Sequence, residues 1–74
     1  MSRIRVRLRE CLDLYRARTG KQLSYAELAE RSGLSRATVE SLASRTDYNA
    51  TLRTIEKLCM VLKVHPNELL EWRR

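Results

Sequence analysis

Seventy-four residues allow one small domain, which buries only roughly 60% of its unfolded surface, and leave no room for a separate catalytic or ligand-sensing module. Two Gly, one Pro and a 43% hydrophobic content disfavour a many-stranded sandwich or barrel and wholesale disorder alike. The net charge of +6 comes from twelve Arg and only three Lys against nine acids; Arg carries a rigid fork of donors suited to phosphate and guanine edges, which points to nucleic acid first and an anionic membrane surface second.

Residues 3–7 alternate Arg with Ile4 and Val6, a period of two typical of a strand. Three readings fit: a strand pairing with its own copy in a second chain to give a two-fold dimer, a frayed basic arm, or an earlier start of the first helix. Leu8, Cys11, Leu12 and Tyr15 then form a helical stripe ending near Thr19–Gly20. Ser24 with Glu27 is a capping box, and Leu23 with Leu28 a hydrophobic staple, so a second helix starts there. It stops at Gly33, which suits a left-handed reversal. Ser35 caps a third helix whose inward stripe is Val39, Leu42 and Ala43.

Residues 45–50 have loop composition. Thr51 caps a fourth helix with Leu52, Ile55, Leu58, Cys59 and Leu62 on one face, and His65-Pro66-Asn67-Glu68 opens a fifth, with Pro at its first position. Trp72 reads as a core lid or a dimer contact. Cys11 and Cys59 read as reduced core thiols, and two Cys with one His are too few for a four-ligand zinc site. No nucleophile–base pair, carboxylate pair or Gly-rich phosphate loop is evident. No catalytic residue, cofactor or metal is therefore expected. With no signal peptide or membrane span in view, the cytoplasm is the expected compartment.

Residues 24–44 carry the functional signal. Leu28-Ala29, Gly33-Leu34, Val39 and Leu42 stand where two steeply crossing helices need a small residue, a turn and a docking pair. This arrangement resembles the Cro and phage-repressor (Xre-like) helix-turn-helix family, in particular its short single-domain members. The resemblance spans nearly the whole chain, including Thr51–Leu58 and Val64–Leu70. It implies an all-α, five-helix, lambda-repressor-like DNA-binding domain over residues 1–74, with the N-terminal strand as an optional addition.

The same resemblance implies a third helix in the major groove. Arg36, Ala37, Glu40 and Ser41 would then face bases, with Arg36 reading guanine and Ala37 meeting a thymine methyl. Ser24, Tyr25, Ser35, Ser44, Arg45, Asn49, Thr51 and Arg53 would lie near phosphates. The chain departs from the family's pattern at Tyr25, where Gln is frequent, and in a loop after the third helix that lacks the frequent Gly. The implied function is sequence-specific double-stranded DNA binding by a small homodimeric transcriptional regulator, a repressor by preference. The alternative is a protein-interaction module such as the antitoxin of a toxin–antitoxin pair. A basic membrane-surface peptide would need one long helix, which the caps at Ser24, Ser35 and Thr51 oppose.

Overall fold

A computed structural model describes residues 3–45 and 49–73. Within them the chain runs β1 (Ile4–Val6), α1 (Leu8–Thr19), α2 (Tyr25–Ser32), α3 (Arg36–Ser44), α4 (Leu52–Leu62), α5 (Pro66–Leu69) and β2 (Leu70–Trp72). The helices surround one core in which Leu28, Val39, Leu58 and Leu69 are fully enclosed, joined by Leu8, Cys11, Leu42 and Leu62. Each such side chain contributes about 1.5–3 kcal/mol by leaving water.

Local chemistry sets the helix ends. The Ser24 hydroxyl accepts from the Glu27 N–H while the Glu27 carboxylate accepts from the Ser24 N–H, each at 3.1 Å. Ser35 accepts from the Thr38 N–H, and Thr51 from the Thr54 N–H. Each such cap satisfies a donor the helix cannot and is worth about 1 kcal/mol. Gly20 and Gly33 close α1 and α2 in the left-handed region, where a Cβ costs energy. Lys63 closes α4 the same way at φ 56° without being glycine.

The N-terminal strand reading holds for Ile4–Val6, and the strand finds a partner within its own chain. β1 pairs antiparallel with β2, with Ile4 opposite Trp72, Arg5 opposite Glu71 and Val6 opposite Leu70. The ladder extends through Arg7 N–H to the Leu69 carbonyl at 2.7 Å and Arg73 N–H to the Arg3 carbonyl at 2.6 Å. The reason is that α5 lasts one turn before Leu70 turns extended at φ −107°, ψ 139°, which supplies the strand that β1 needs. Arg5 crosses to Glu71 at 2.8 Å and also binds Glu10.

Two further expectations are corrected. Leu52, placed on the buried face of α4, is 85% exposed; the core stripe there is Ile55, Leu58 and Leu62, and Leu52 is rotated off it at the first helical position. Trp72 is no core lid either, being 63% exposed on β2 across from Ile4. Both cysteines are free thiols, Cys11 buried and Cys59 half-buried; burial pushes the Cys11 thiol up to about 11.

Two stability predictions follow from the termini and the acids. At Lys63, replacement by Gly removes left-handed strain and raises stability by about 1 kcal/mol. Gly33→Ala lowers it by a similar amount, through backbone strain alone, because nothing lies within 4 Å of the added Cβ. Denaturant titration of the two variants reads both signs.

The second concerns pH. Glu27 is held below its ordinary value by the Ser24 backbone N–H, and Glu68 by the His65 N–H and then Arg18. Burial pushes Glu10 the other way, but its own backbone N–H and Arg5 outweigh that. Depressed folded values mean the stabilisation is complete above the ordinary value of 4.5 and is lost as pH falls through the folded values. Melting followed by circular dichroism should show a steady midpoint near neutrality and a falling one in acid. In the Glu27→Gln/Glu68→Gln variant, which keeps the caps without the charge, the fall should be shallower.

Candidate nucleic-acid interface

The bend between α2 and α3 is built from short-range bonds. Gly33 N–H returns to the Ala29 carbonyl at 2.9 Å, closing α2. Buried Ser32 ties the corner from inside: its hydroxyl donates to the Leu28 carbonyl at 2.6 Å and accepts from the Leu34 N–H at 3.3 Å. Only Leu34 and the extended Ser35 separate Gly33 from α3. Ala29 is buried beside this corner, as a close crossing of two backbones requires.

The crossing sorts the sides of α3. Val39, Leu42 and Ala43 are buried, while Arg36, Ala37, Glu40 and Ser44 are exposed and Ser41 is half-buried. Residues 36, 37, 40, 41 and 44 therefore share the outward half of one helix, and Arg36 stands at its N-terminal tip. Its guanidinium Nε donates to the Glu40 carboxylate at 2.9 Å, with 69% of the Arg36 side chain exposed. An exposed i, i+4 pair of this kind contributes only a few tenths of a kcal/mol, so its main effect is to hold the guanidinium along the helix surface. Ser44 turns its hydroxyl back to the Glu40 carbonyl at 2.7 Å, which leaves its oxygen able to accept a further bond.

The remaining candidates lie on neighbouring elements. Ser24 is the exposed N-cap of α2, and Tyr25, the first residue of that helix, is half-buried against the core. Ser35 and Thr51 are the exposed N-caps of α3 and α4, each with its hydroxyl engaged by the threonine three residues on. Arg53 is exposed in the first turn of α4. Arg45 ends α3 in an extended conformation, and Asn49 is exposed beyond it. Part of the loop between them, residues 46–48, lies outside the described residues.

Sequence reasoning missed Ser32, whose buried hydroxyl helps to define the turn. A serine at a helix's last position followed by Gly is its only trace in the sequence. It also missed that the Ser35 and Thr51 caps would be doubled by Thr38 and Thr54. Among the described residues no three His, Cys, Asp or Glu side chains gather as metal ligands, and no helix is long and apolar enough to cross a membrane.

Residues 13–73 match the family model of the Cro/C1-type HTH DNA-binding domain. Two solved structures share the fold. The restriction-modification controller protein C.AhdI from Aeromonas hydrophila superposes with a TM-score of 0.62 at 35% identity, over 85% of this chain and 91% of that one. SinR, the master regulator for biofilm formation, solved in complex with DNA, gives a TM-score of 0.60 at 27% identity, over 80% of this chain and 90% of its own. Among curated protein sequences none matches this chain. The five helices, the tight corner at Gly33 and the family match over most of its length agree: this chain belongs to the Cro/C1-type helix-turn-helix DNA-binding domains.

Proposed function

We propose that this protein is a sequence-specific double-stranded DNA-binding regulator of transcription, a cytoplasmic repressor acting as a homodimer without cofactor or catalytic step. The observation that carries the reading is the exposed polar half of α3, presented by a helix whose other half is locked into the core. In this reading α3 lies in the major groove with its N-terminal residues toward base edges. Arg36 reads a guanine through O6 and N7, held at the helix tip by Glu40, and Ala37 meets a thymine methyl. Ser41 bonds a base edge deeper in the groove. Glu40 also stands where it can accept from a cytosine amine.

Phosphate contacts would position this helix without reading sequence. The start of α2, at Ser24 and Tyr25, turns a positive dipole end and the free N–H of Tyr25 to one strand, the Ser24 N–H being held by Glu27. Ser35 and Ser44 flank α3, while Arg45, Asn49, Thr51 and Arg53 approach the backbone from the loop and the start of α4. The Tyr25 phenol donates to phosphate where an amide would both donate and accept.

What the fold leaves uncovered supports the homodimer reading. With β1 paired inside its own chain, the N-terminal strand is not needed as a joint. The outer side of α4 instead carries Leu52 and Met60, 85% and 71% exposed, beside an apolar hollow that reaches Pro66 and Leu70. Glu56 lies between them with Lys57 adjacent, so a two-fold copy of this face meets mixed charge rather than one sign. Half-sites would then repeat about one helical turn, ~34 Å, apart.

Two measurements test these assignments. Against a duplex selected from a random pool, Arg36→Ala should relax preference at one base position by about 1–3 kcal/mol. Arg53→Ala should instead weaken selected and unrelated duplexes alike and flatten the salt slope by about one. Equal losses of Arg36→Ala on both duplexes would make Arg36 a phosphate contact and remove it from base reading. For the dimer, sedimentation should give twice the chain mass, reduced to the monomer by Met60→Glu and unchanged by Trp72→Ser. A wild-type monomer that sediments with a stoichiometric acidic partner would favour the antitoxin reading.

A further inference from the structure

The sheet formed by the two ends of the chain has unlike faces. Successive side chains of a strand alternate between faces, so Ile4 and Val6 share one with Leu70 and Trp72, their partners across the ladder. Val6 is buried and Leu70 half-buried, but Ile4 is 46% exposed and Trp72 63%. The apolar face thus runs out past the core and ends on an uncovered isoleucine–tryptophan pair. The opposite face carries Arg5 with Glu71 and, further out, Arg3 opposite Arg73. Arg5 is neutralised by Glu71 and Glu10. Among the described residues Arg3 and Arg73 are exposed and have no acidic partner. Like charges directly opposite one another destabilise a ladder, an effect that a carboxylate laid beside them would offset.

The outer edge of β2 is open as well. The bonds from Arg7 N–H to Leu69 and from Arg73 N–H to Arg3 make Arg3–Arg73, Arg5–Glu71 and Arg7–Leu69 the hydrogen-bonded pairs of this antiparallel ladder. The N–H and C=O of Trp72 therefore point away from β1, as does the Leu70 carbonyl, while the Leu70 N–H is taken by the Pro66 carbonyl. Among the described residues the sheet has two strands and no third flanks β2. Such an edge is a template for an added strand.

We propose that the β2 edge is a docking site for an extended acidic segment of a partner protein, added antiparallel to β2 beside Trp72. One residue of the segment exchanges both backbone bonds with Trp72 and rests an apolar side chain on the Trp72–Ile4 face. Its neighbour opposite Arg73 points to the other face, where an Asp or Glu meets Arg73, with Arg3 one strand beyond. The neighbour opposite Glu71 is not acidic, since Glu71 already holds Arg5. An open N–H and C=O on one edge residue match another backbone, and a second copy of this chain would bring its own Arg3 and Arg73 to the same face. The docking site uses none of the α3 residues, nor Leu52 or Met60, so it stands separately from the DNA-binding and homodimer readings.

The test is fluorescence anisotropy of a labelled, capped peptide with valine at alternate positions and aspartate and threonine between, titrated with the whole chain. NMR of the Trp72 backbone amide locates the contact. Saturable binding that shifts this amide is expected. Replacing the peptide's aspartates by lysine should weaken binding several-fold, and Arg3→Glu/Arg73→Glu should reverse that preference. Trp72→Pro removes the outward N–H and leaves every ladder bond in place, so it should abolish binding, whereas Trp72→Ala should retain part of it. The charge-reversed variant alters only exposed side chains and should keep the wild-type melting midpoint. No binding, equal affinity for the aspartate and lysine peptides, or an unmoved Trp72 amide would overturn the proposal. A Trp72 amide that shifts with the concentration of the chain alone would assign the edge to a second copy and overturn it too. So would a labelled duplex that loses affinity for Arg3→Glu/Arg73→Glu while the peptide does not, which would give the two arginines to nucleic acid.

Discussion

The corner at Gly33 constrains the rest of the molecule, because it leaves α2 and α3 little freedom to choose their crossing. A left-handed residue ends one helix, an extended serine begins the next, and a single leucine separates them. Ser32 braces the inside of the bend through its hydroxyl. Once that geometry is set by backbone bonds, enclosure of Leu28, Val39 and Leu42 fixes the rotation of α3 about its own axis. Its exposed half is then an outcome of core packing and turn chemistry, not a separate design. In a chain with so little core to spend, the same few bonds stabilise the fold and aim the functional helix.

This division explains which features were legible in the sequence. Caps, left-handed glycines and helical stripes are governed by residues within about four positions of each other, and those at Ser24, Gly33, Ser35, Thr51 and Pro66 appear where their spacing places them. The strand pairing depends on residues 66 apart, Arg5 and Glu71, and three alternating residues at Leu70–Trp72 are too few to show a period. The N-terminal strand was therefore visible while its partner was not. Leu52 misled for a related reason: at a helix's first position a side chain can lie off the core and still fit a loose apolar spacing. The outward side of α3 was legible as an exposed helix face, because burial follows periodicity. The distribution of ion pairs among twelve arginines was not, because it depends on which acids the fold brings near.

That distribution links the ends of the chain to the motif at its middle. Arg7 N–H bonds the Leu69 carbonyl near the start of α1, and Arg18 binds Glu68 near its end. Contacts from the two ends of α1 thus converge on adjacent residues of α5, the backbone bond at Leu69 and the exposed ion pair at Glu68. With Leu8, Cys11 and Tyr15 turned into the core, the row of Arg9, Asp13 and Arg16 lies about a third of a turn away and meets the start of α2. The acids that bind Arg5, Arg7 and Arg18 neutralise the side where the termini close. The unpaired cations of α1 are left on the side where the helix-turn-helix begins. A net charge of +6 spread evenly would attract any polyanion weakly. Ion pairing instead leaves Arg9 and Arg16 exposed where α2 begins, with Asp13 between them in sequence, and the closure of β1 on β2 ties down the opposite end of the chain.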